Sequence, residues 1–225
     1  MKRQLRVVLA DIDTEVVRAW LTAFADEAGV DVHKGSILDE QVDAWVTPTN
    51  SAGRMDSGVD AVVRRHLGAG IQLRVQRAIR MQFGGTLPIG SALCVSSGAA
   101  NPRYLISTPT TVHPGQDVGG PLSVALACAA AFQAIHLQNA KVPGSVRSVA
   151  LVGLGAGTGR VPPRVCAELM RAGYALFHEH RFGDYDELRA TISAQLDAIE
   201  HPPAGARVRI APPRSAAADL AILGG

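Results

Sequence analysis

Short apolar runs and longer helical patterns alternate along this chain. Compact runs rich in Val, Ile and Leu predict strands, and apolar residues spaced three and four apart predict helices. The predicted strands cover residues 5–10, 30–33, 42–47, 91–96, 104–108 and 148–152. The predicted helices lie between Thr14, a candidate N-cap, and Gly29, and over residues 59–67, 71–81, 121–137, 162–177 and 185–199.

This order of elements predicts the fold class. A strand, a helix and a strand in short succession imply a parallel pair joined by a right-handed crossover. The run 148–152 is apolar throughout its centre, as is typical of a strand in the middle of a sheet. We therefore predict an α/β/α sandwich with helices on both faces of the sheet.

Composition sets the domain organisation. The chain has 225 residues, of which 47% are hydrophobic and 19% charged, enough for one substantial core. No Ser/Gly/Pro linker divides the first part, so residues 1–200 are predicted to form one domain that ends in a helix. Residues 201–225 are rich in proline and alanine and are predicted to form a flexible tail.

Charge and length argue against several classes of partner. The formal net charge is +2, which gives no basic footprint for general binding to nucleic acid. The apolar run 7–10 is too short for the core of a signal peptide, and 121–135 falls short of the roughly 20 residues that span a bilayer. We expect no membrane partner and a cytoplasmic location. The sequence is silent on oligomeric state.

The metal-binding residue types show no site pattern. Cys94, Cys128 and Cys166 are odd in number and widely spaced, which indicates free thiols rather than a disulfide framework or a zinc site. His178-Glu179-His180 has metal-like side chains, but i, i+2 spacing does not converge on one helix face. We predict neither a metal nor a cofactor.

Two loops carry the candidate chemistry: loop 1, residues 47–60, and loop 2, residues 153–160. Each follows a predicted strand, contains glycine and leads into a predicted helix. Such a junction directs free N–H groups and the positive end of a helix dipole towards an anion. Two of them suit a diphosphate, and loop 1 adds Asn50 and Asp60, whose polar side chains suit the sugar of a nucleotide.

Each of these residues also has a plain structural interpretation. Loop 2 fits neither the dinucleotide fingerprint, since Arg160 stands where the third glycine belongs, nor a P-loop, so it is also compatible with a tight glycine-rich turn. Asn50 is compatible with a turn residue, Asp56 or Ser57 with an N-cap, and Asp60 with a helix-dipole partner. Asp11 and Asp13 follow the first strand and suit either a turn and cap or the end of a ligand site.

The residues of loop 1 carry a family resemblance. Thr47-Pro48-Thr49-Asn50-Ser51, followed by Gly58-Val59-Asp60, resembles the signature of macrodomains. His33-Lys34-Gly35-Ser36-Ile37 resembles the Gly-Asp-Ile segment of that family. Loop 2, Gly153-Leu154-Gly155-Ala156-Gly157-Thr158-Gly159, is similar to the Gly-Leu-Gly-x-Gly-x-Gly form of a bacterial and phage-associated branch. Order and spacing agree over residues 30–178.

The resemblance implies a mixed sheet of about six strands and a pocket for ADP-ribose. Asn50 would bond a hydroxyl of the distal ribose, and Asp60 would align or activate a water beside it. The backbone N–H groups expected to hold the diphosphate belong to Gly58, Val59, Ala156, Gly157 and Thr158. Ser36, Ile37, Ser57, Gly155 and Gly159 complete the predicted ligand site.

The implied function is hydrolysis of ADP-ribosyl linkages on protein, on nucleic acid as a modified substrate, or on O-acetyl-ADP-ribose. The alternatives are a reader that binds ADP-ribose without turnover and a phosphatase acting on ADP-ribose-1″-phosphate. Several residues depart from the family pattern and bear on this choice. Ser36 replaces an aspartate that holds the adenine amino group, and Gly159 replaces an aromatic residue. Met55-Asp56-Ser57-Gly58 stands where the family has a run of glycines, and no strand is visible after Phe177.

Overall fold

A computed structural model of the chain describes residues 5–113, 122–180 and 182–200. The strands are β1 (Arg6–Asp11), β2 (Val30–Lys34), β3 (Ala44–Asn50), β4 (Leu93–Ser96), β5 (Tyr104–Thr111) and β6 (Ser148–Leu151). The helices are α1 (Thr14–Ala23), α2 (Gly58–Leu67), α3 (Gly70–Phe83), α4 (Leu122–Lys141), α5 (Pro163–Glu179) and α6 (Tyr185–Glu200). A 3-10 helix, Ile37–Asp39, follows β2.

The strands form one six-stranded sheet in the order β2-β1-β6-β3-β5-β4. Every neighbouring pair is parallel except β4 and β5, which are antiparallel. This confirms the predicted mixed sheet. The place between β2 and β6 is filled by β1, the first strand of the chain, and the described residues after α5 contain no strand.

Helices cover both faces of the sheet. On one face α4 packs against α5 and β5, and α1 packs against α5 and β1, while α2 and α3 lie against β3 and β4 on the other. Side chains alternate between the faces, so Val8 and Trp45 join the core under α2 and α3, and Val7 and Leu9 are buried on the opposite side. The predicted three-layer sandwich is therefore confirmed.

Strand β3 runs further than the sequence suggested. The prediction that Pro48 closes the strand is wrong, because β3 continues through Pro48 to Asn50. The Ser51 N–H donates to Thr111 O, next to β5. Because backbone N–H groups point alternately to the two sides of a strand, the nitrogen of Pro48, three positions earlier, faces away from β5. The strand on that other side, β6, pairs with β3 only as far as Val46. Pro48 lies beyond this pair, so its missing N–H removes no hydrogen bond between the two strands.

The helices differ from prediction in detail. The N-cap of α1 is Asp13, whose side chain accepts from Glu15 N, and not Thr14. Gly29 does not end α1, which stops at Ala23, but takes φ of 91° in the turn before β2. Among the described residues α4 is the one helix long and apolar enough to cross a bilayer by length and composition, yet 67% of its apolar window is buried within the fold.

The chain divides into two compact units, Met1–Thr191 and Ile192–Gly225. The first unit contains the whole sheet and helices α1 to α5. The predicted tail, residues 201–225, lies outside the described residues, and the predicted domain boundary at residue 200 stays a prediction.

Asp43, just before β3, ties three strands together at their amino ends. Its Oδ2 accepts from the backbone N–H groups of Arg147 and Ser148 beside β6, at 2.8 and 3.1 Å. Its Oδ1 accepts from Arg103, next to β5, at 2.7 Å. Burial acts to raise the pKa of Asp43, but these hydrogen bonds and the Arg103 charge outweigh it and lower the pKa below 3.8.

We expect Asp43→Asn to reduce the free energy of unfolding by about 1–2 kcal/mol at pH 7, because an amide cannot accept all these bonds. A lowered pKa in the folded state stabilises the protein above pH 3.8 and loses this effect as the pH falls through the folded value. Urea unfolding at pH 7 and pH 3 measures both quantities. An undiminished difference at pH 3 would contradict the assignment to charge.

Candidate functional site

A cleft of about 470 Å³ lies where the carboxyl ends of the parallel strands meet. Ligand sites in open α/β sheets commonly occupy this edge. The residues after β1, β2, β3 and β6, the end of β5 and the first turn of α2 all contribute to its walls. The structure brings every predicted site residue to this cleft: Ser36, Ile37, Asn50, Ser57, Gly58, Val59, Asp60, Gly155, Ala156, Gly157, Thr158 and Gly159.

The first turn of α2 presents unused N–H groups to the cleft. Ser57 is the N-cap, but its side chain makes no capping hydrogen bond. The first main-chain bond of the helix runs from Ala61 N to Ser57 O, so the N–H groups of Gly58, Val59 and Asp60 have no carbonyl partner within the helix. Together with the helix dipole, they favour an anion at this point.

Loop 2 is folded by three main-chain bonds: Ala156 N to Gly153 O, Arg160 N to Gly157 O, and Val161 N to Gly155 O. The N–H groups of Gly157, Thr158 and Gly159 take no part in them. Gly155 has φ of 82°, a conformation that side chains disfavour. Loop 2 is therefore a tight turn, and its turn geometry leaves consecutive N–H groups beside the cleft.

The two loops meet at Gly58. This residue has φ of 56°, and a Cβ on it would lie 3.2 Å from Oγ1 of Thr158. Both features favour glycine at this position. The first turn of α2 and loop 2 therefore lie against each other, and both line the same cleft.

Asn50 organises loop 1. Its Oδ1 accepts from the N–H groups of Ala52 and Arg54, both at 3.2 Å, and its Nδ2 donates to Arg54 O at 2.8 Å. One amide N–H remains for other partners. The turn interpretation of Asn50 is thus realised in the structure, and its bond to a ribose stays a prediction.

Asp60 lies in the first turn of α2 and is only 4% exposed. Burial raises the pKa of its carboxyl from 3.8 to about 7, and the nearby hydroxyls of Thr47 and Thr49 act in the opposite direction. A carboxyl with a pKa near neutrality is suited to proton transfer at physiological pH.

Ser36, Asp11 and Asp13 lie together at the β1 and β2 end of the cleft. The Ser36 hydroxyl accepts from Leu38 N, which caps the 3-10 helix. Asp11 accepts from Gly153 N through Oδ2 and from Asp13 N through Oδ1, so it joins β1 to loop 2. The turn and cap interpretations of Asp11 and Asp13 are realised, although both also line the cleft.

Two features of the site were missed in the sequence. Ile12 is 76% exposed and forms part of the cleft wall, which adds an apolar surface to the cleft. Thr47 and Thr49 face Asp60 from β3. The signal for the two threonines is present in the sequence, since they are polar residues at alternate positions of an otherwise apolar strand.

No group of three or more metal-binding side chains occurs within residues 5–113, 122–180 and 182–200. His178 contacts the Tyr174 ring at 4.0 Å between centroids, and His66 packs on Trp45 at 5.5 Å. The three cysteines are free thiols, and burial raises the pKa of Cys94 and of Cys166 to about 12.

Comparison with known proteins places this geometry in context. Residues 46–170 match the family model described as Macro domain. An uncharacterized protein of Aquifex aeolicus (strain VF5) is 32% identical over 142 residues, covering 63% of this chain and 78% of that protein. The Mycobacterium tuberculosis DarG macrodomain has a TM-score of 0.53 at 20% identity, covering 64% of this chain and 88% of that one. A mutant Oceanobacillus iheyensis macrodomain with ADPR has a TM-score of 0.52 at 18% identity, covering 72% and 91%.

The buried Asp60 carboxyl has a consequence for stability. Its folded pKa of about 7 exceeds the ordinary 3.8, so between these values the native state binds a proton that the unfolded state has lost. Stability contributed by this group therefore falls as the pH rises through this interval. Over the whole interval, the difference between the two pKa values corresponds to a loss of roughly 4 kcal/mol in the free energy of unfolding.

We expect Asp60→Asn to stabilise the fold relative to the parent by roughly 2–4 kcal/mol more at pH 8 than at pH 4, since asparagine does not titrate. Urea unfolding of both proteins at the two pH values measures this difference. Asp31→Asn, which changes an exposed carboxylate paired with Arg6, serves as the control. Equal pH dependence of Asp60→Asn and the parent would contradict the raised pKa.

Proposed function

The chain belongs to the Macro domain family, since the family model covers more than half of its length, and on this premise we propose that its cleft binds ADP-ribose and hydrolyses ADP-ribosyl linkages. The observation that carries the proposal is the convergence of α2 and loop 2 on one cleft that also contains Asp60. The ADPR carried by the Oceanobacillus macrodomain, whose fold this chain shares, supports the same ligand class.

The diphosphate is the part of ADP-ribose that the cleft suits best. N–H groups of Gly58 and Val59 on one side and of Gly157 and Thr158 on the other provide donors without a full positive charge. Backbone donors of this kind bind phosphate oxygens without the entropy cost of ordering long side chains. The distal ribose then lies beside the first turn of α2, near Asp60.

Hydrolysis of an ADP-ribosyl linkage needs a water placed at the anomeric carbon and a group that accepts its proton. The water oxygen forms a bond to that carbon, the bond to the leaving group breaks, and the leaving group takes up a proton. In the proposed mechanism the Asp60 carboxylate accepts the proton of the water, and its pKa near 7 allows it to release that proton again. The N–H groups of both loops hold the diphosphate during this step.

A reader without turnover is the second candidate, and a specific observation favours it. Asp60 is almost fully buried, and most of the hydrogen-bonding capacity of Asn50 is used within loop 1. In a reader these residues would shape the cleft, and the ligand would bind without reaction. Binding and turnover therefore need separate tests.

The binding test uses two glycines. A Cβ on Gly157 or on Gly70 meets nothing within 4 Å, so both positions have room for a β-carbon, and valine is the substitution used at each. Gly157 lines the cleft, whereas Gly70 begins α3 outside it. We expect micromolar calorimetric binding of ADP-ribose, with much weaker binding of AMP and NAD. Gly157→Val should weaken it at least tenfold, equivalent to about 1.4 kcal/mol, and Gly70→Val should leave it unchanged.

Loss of affinity in both valine variants would point to a general structural effect rather than a diphosphate site in loop 2. No binding of ADP-ribose by the parent protein would mean that the cleft has been adapted to another ligand.

The turnover test uses Asp60→Asn, which keeps the shape of the side chain and removes its ability to accept a proton. We expect release of ADP-ribose from a panel of modified proteins and nucleic acids to fall at least a hundredfold, while the affinity for ADP-ribose changes little. Asp31→Asn is the matched control and should react like the parent. Equal rates for Asp60→Asn and the parent would remove Asp60 from the mechanism, and binding without any product would favour the reader.

A further inference from the structure

Five buried side-chain polar atoms have no hydrogen-bond partner among the described residues. Nε1 of Trp20 and Oε1 of Gln133 lie on α1 and α4, and the other three are Oδ1 of Asp60, Oγ1 of Thr47 and Oγ1 of Thr49. The exposed fractions of these last three residues are 4%, 0% and 5%. Buried hydroxyls and carboxyls are almost always hydrogen-bonded, because leaving them unpaired costs their full desolvation free energy. A group of three such atoms therefore calls for a common partner.

The three atoms belong to one place in the fold. Thr47 and Thr49 are two positions apart on β3, so their side chains point to the same face of the sheet. Trp45, two positions earlier, shares that face and packs in the same core cluster as Val63 of α2. Asp60 begins α2 on this face, and both threonine hydroxyls influence its carboxyl.

No ion accounts for this arrangement, and direct bonds do not complete it. Both threonine hydroxyls act on the Asp60 carboxyl as hydrogen-bond donors and lower its pKa, but neither contact reaches full hydrogen-bond distance and angle, and no charged side chain shifts this pKa. No Lys, Arg or His forms an ion pair with Asp60 in the described part of the chain. What remains is a small molecule that both donates and accepts. A buried water typically takes two to four polar partners, which matches this group.

We propose that Thr47, Thr49 and the inner oxygen of Asp60 bind one buried water beneath the cleft, and that the two threonines are positioning residues for the Asp60 carboxyl. The water donates to Oδ1 of Asp60 and accepts from a threonine hydroxyl. It is distinct from the reacting water of the proposed mechanism, which lies on the ligand side.

This arrangement fixes the orientation of the carboxyl. With Oδ1 held from below, the other oxygen is the one left to face the ligand. Hydrogen bonds donated to a carboxylate favour its charged form, so the water and hydroxyls limit the rise in pKa that burial causes. The contribution of the threonines to turnover rests on the proposed function, whereas the water site itself does not.

The test measures the pKa of Asp60 directly, from the 13C shift of its carboxyl during a pH titration of the full chain. We expect Thr47→Val and Thr49→Val each to raise this pKa by about one unit, since valine keeps the shape of threonine and removes the hydroxyl. Thr47→Ser and Thr49→Ser retain the hydroxyl and should restore the parent value. Thr22→Val, whose hydroxyl bonds Arg18 O on the exposed side of α1, should have no effect.

A high-resolution crystal structure of the parent should show one water bonded to Asp60 and to at least one of the threonines. An unchanged pKa in the valine variants would overturn the positioning role. Threonine hydroxyls bonded directly to Asp60 with no water between them would overturn the water site. If Thr47→Val does not fold, Thr49→Val and the two serine variants decide the outcome.

Turnover provides a separate readout. If the protein is a hydrolase, the valine variants should move the acidic limb of its pH–rate profile to higher pH and should lower kcat with little change in KM. If the protein is a reader, it has no pH–rate profile, but the titration of Asp60 still shows whether the two threonines act on its carboxyl. Failure of the water site and failure of the proposed hydrolysis are therefore distinguished.

Discussion

Parallel pairing of β3 with both β5 and β6 is the constraint on which the site depends. Parallel strands end at the same edge of a sheet, so loop 1 and loop 2, which are about a hundred residues apart in the chain, leave the sheet side by side. Asp43 secures this pairing at the opposite edge, where it bonds the chain at β6 and at β5. The sheet therefore places the two loops side by side, and the hydrogen bonds within each loop hold its own shape.

Burial of Asp60 opposes stability and favours function at the same position. A carboxyl that is 4% exposed and has no positively charged partner among the described residues is costly to ionise, and the fold carries this cost in place of an apolar side chain. The same burial brings the pKa into the range where a proton can be gained and lost near neutrality. Strained or costly groups that persist in a stable fold are commonly found at functional sites.

The sequence predicted the layers and the loops well because both depend on local patterns. Compact apolar runs predicted the six strands that the described residues contain, and the residue order of loop 1 indicated the family, which the Macro domain match confirms. The position of β1 between β2 and β6 could not be predicted from local patterns, because strand order is set by pairing between distant parts of the chain. The end of β3 was missed for a related reason: whether Pro48 ends a strand depends on where the neighbouring strand stops.

The roles of individual polar residues were harder to predict than their location. Asn50 reaches the cleft as expected, yet its amide mainly holds loop 1, and Ser36 caps a 3-10 helix. Asp11 and Asp13 likewise make backbone bonds while they line the cleft. The residue types favoured for ligand binding are also those that satisfy backbone groups in turns. The role of a polar residue at a cleft is therefore indicated by those of its hydrogen-bonding atoms that remain unpaired within the fold. Asp60 differs from its neighbours because its Oδ1 has no partner among the described residues.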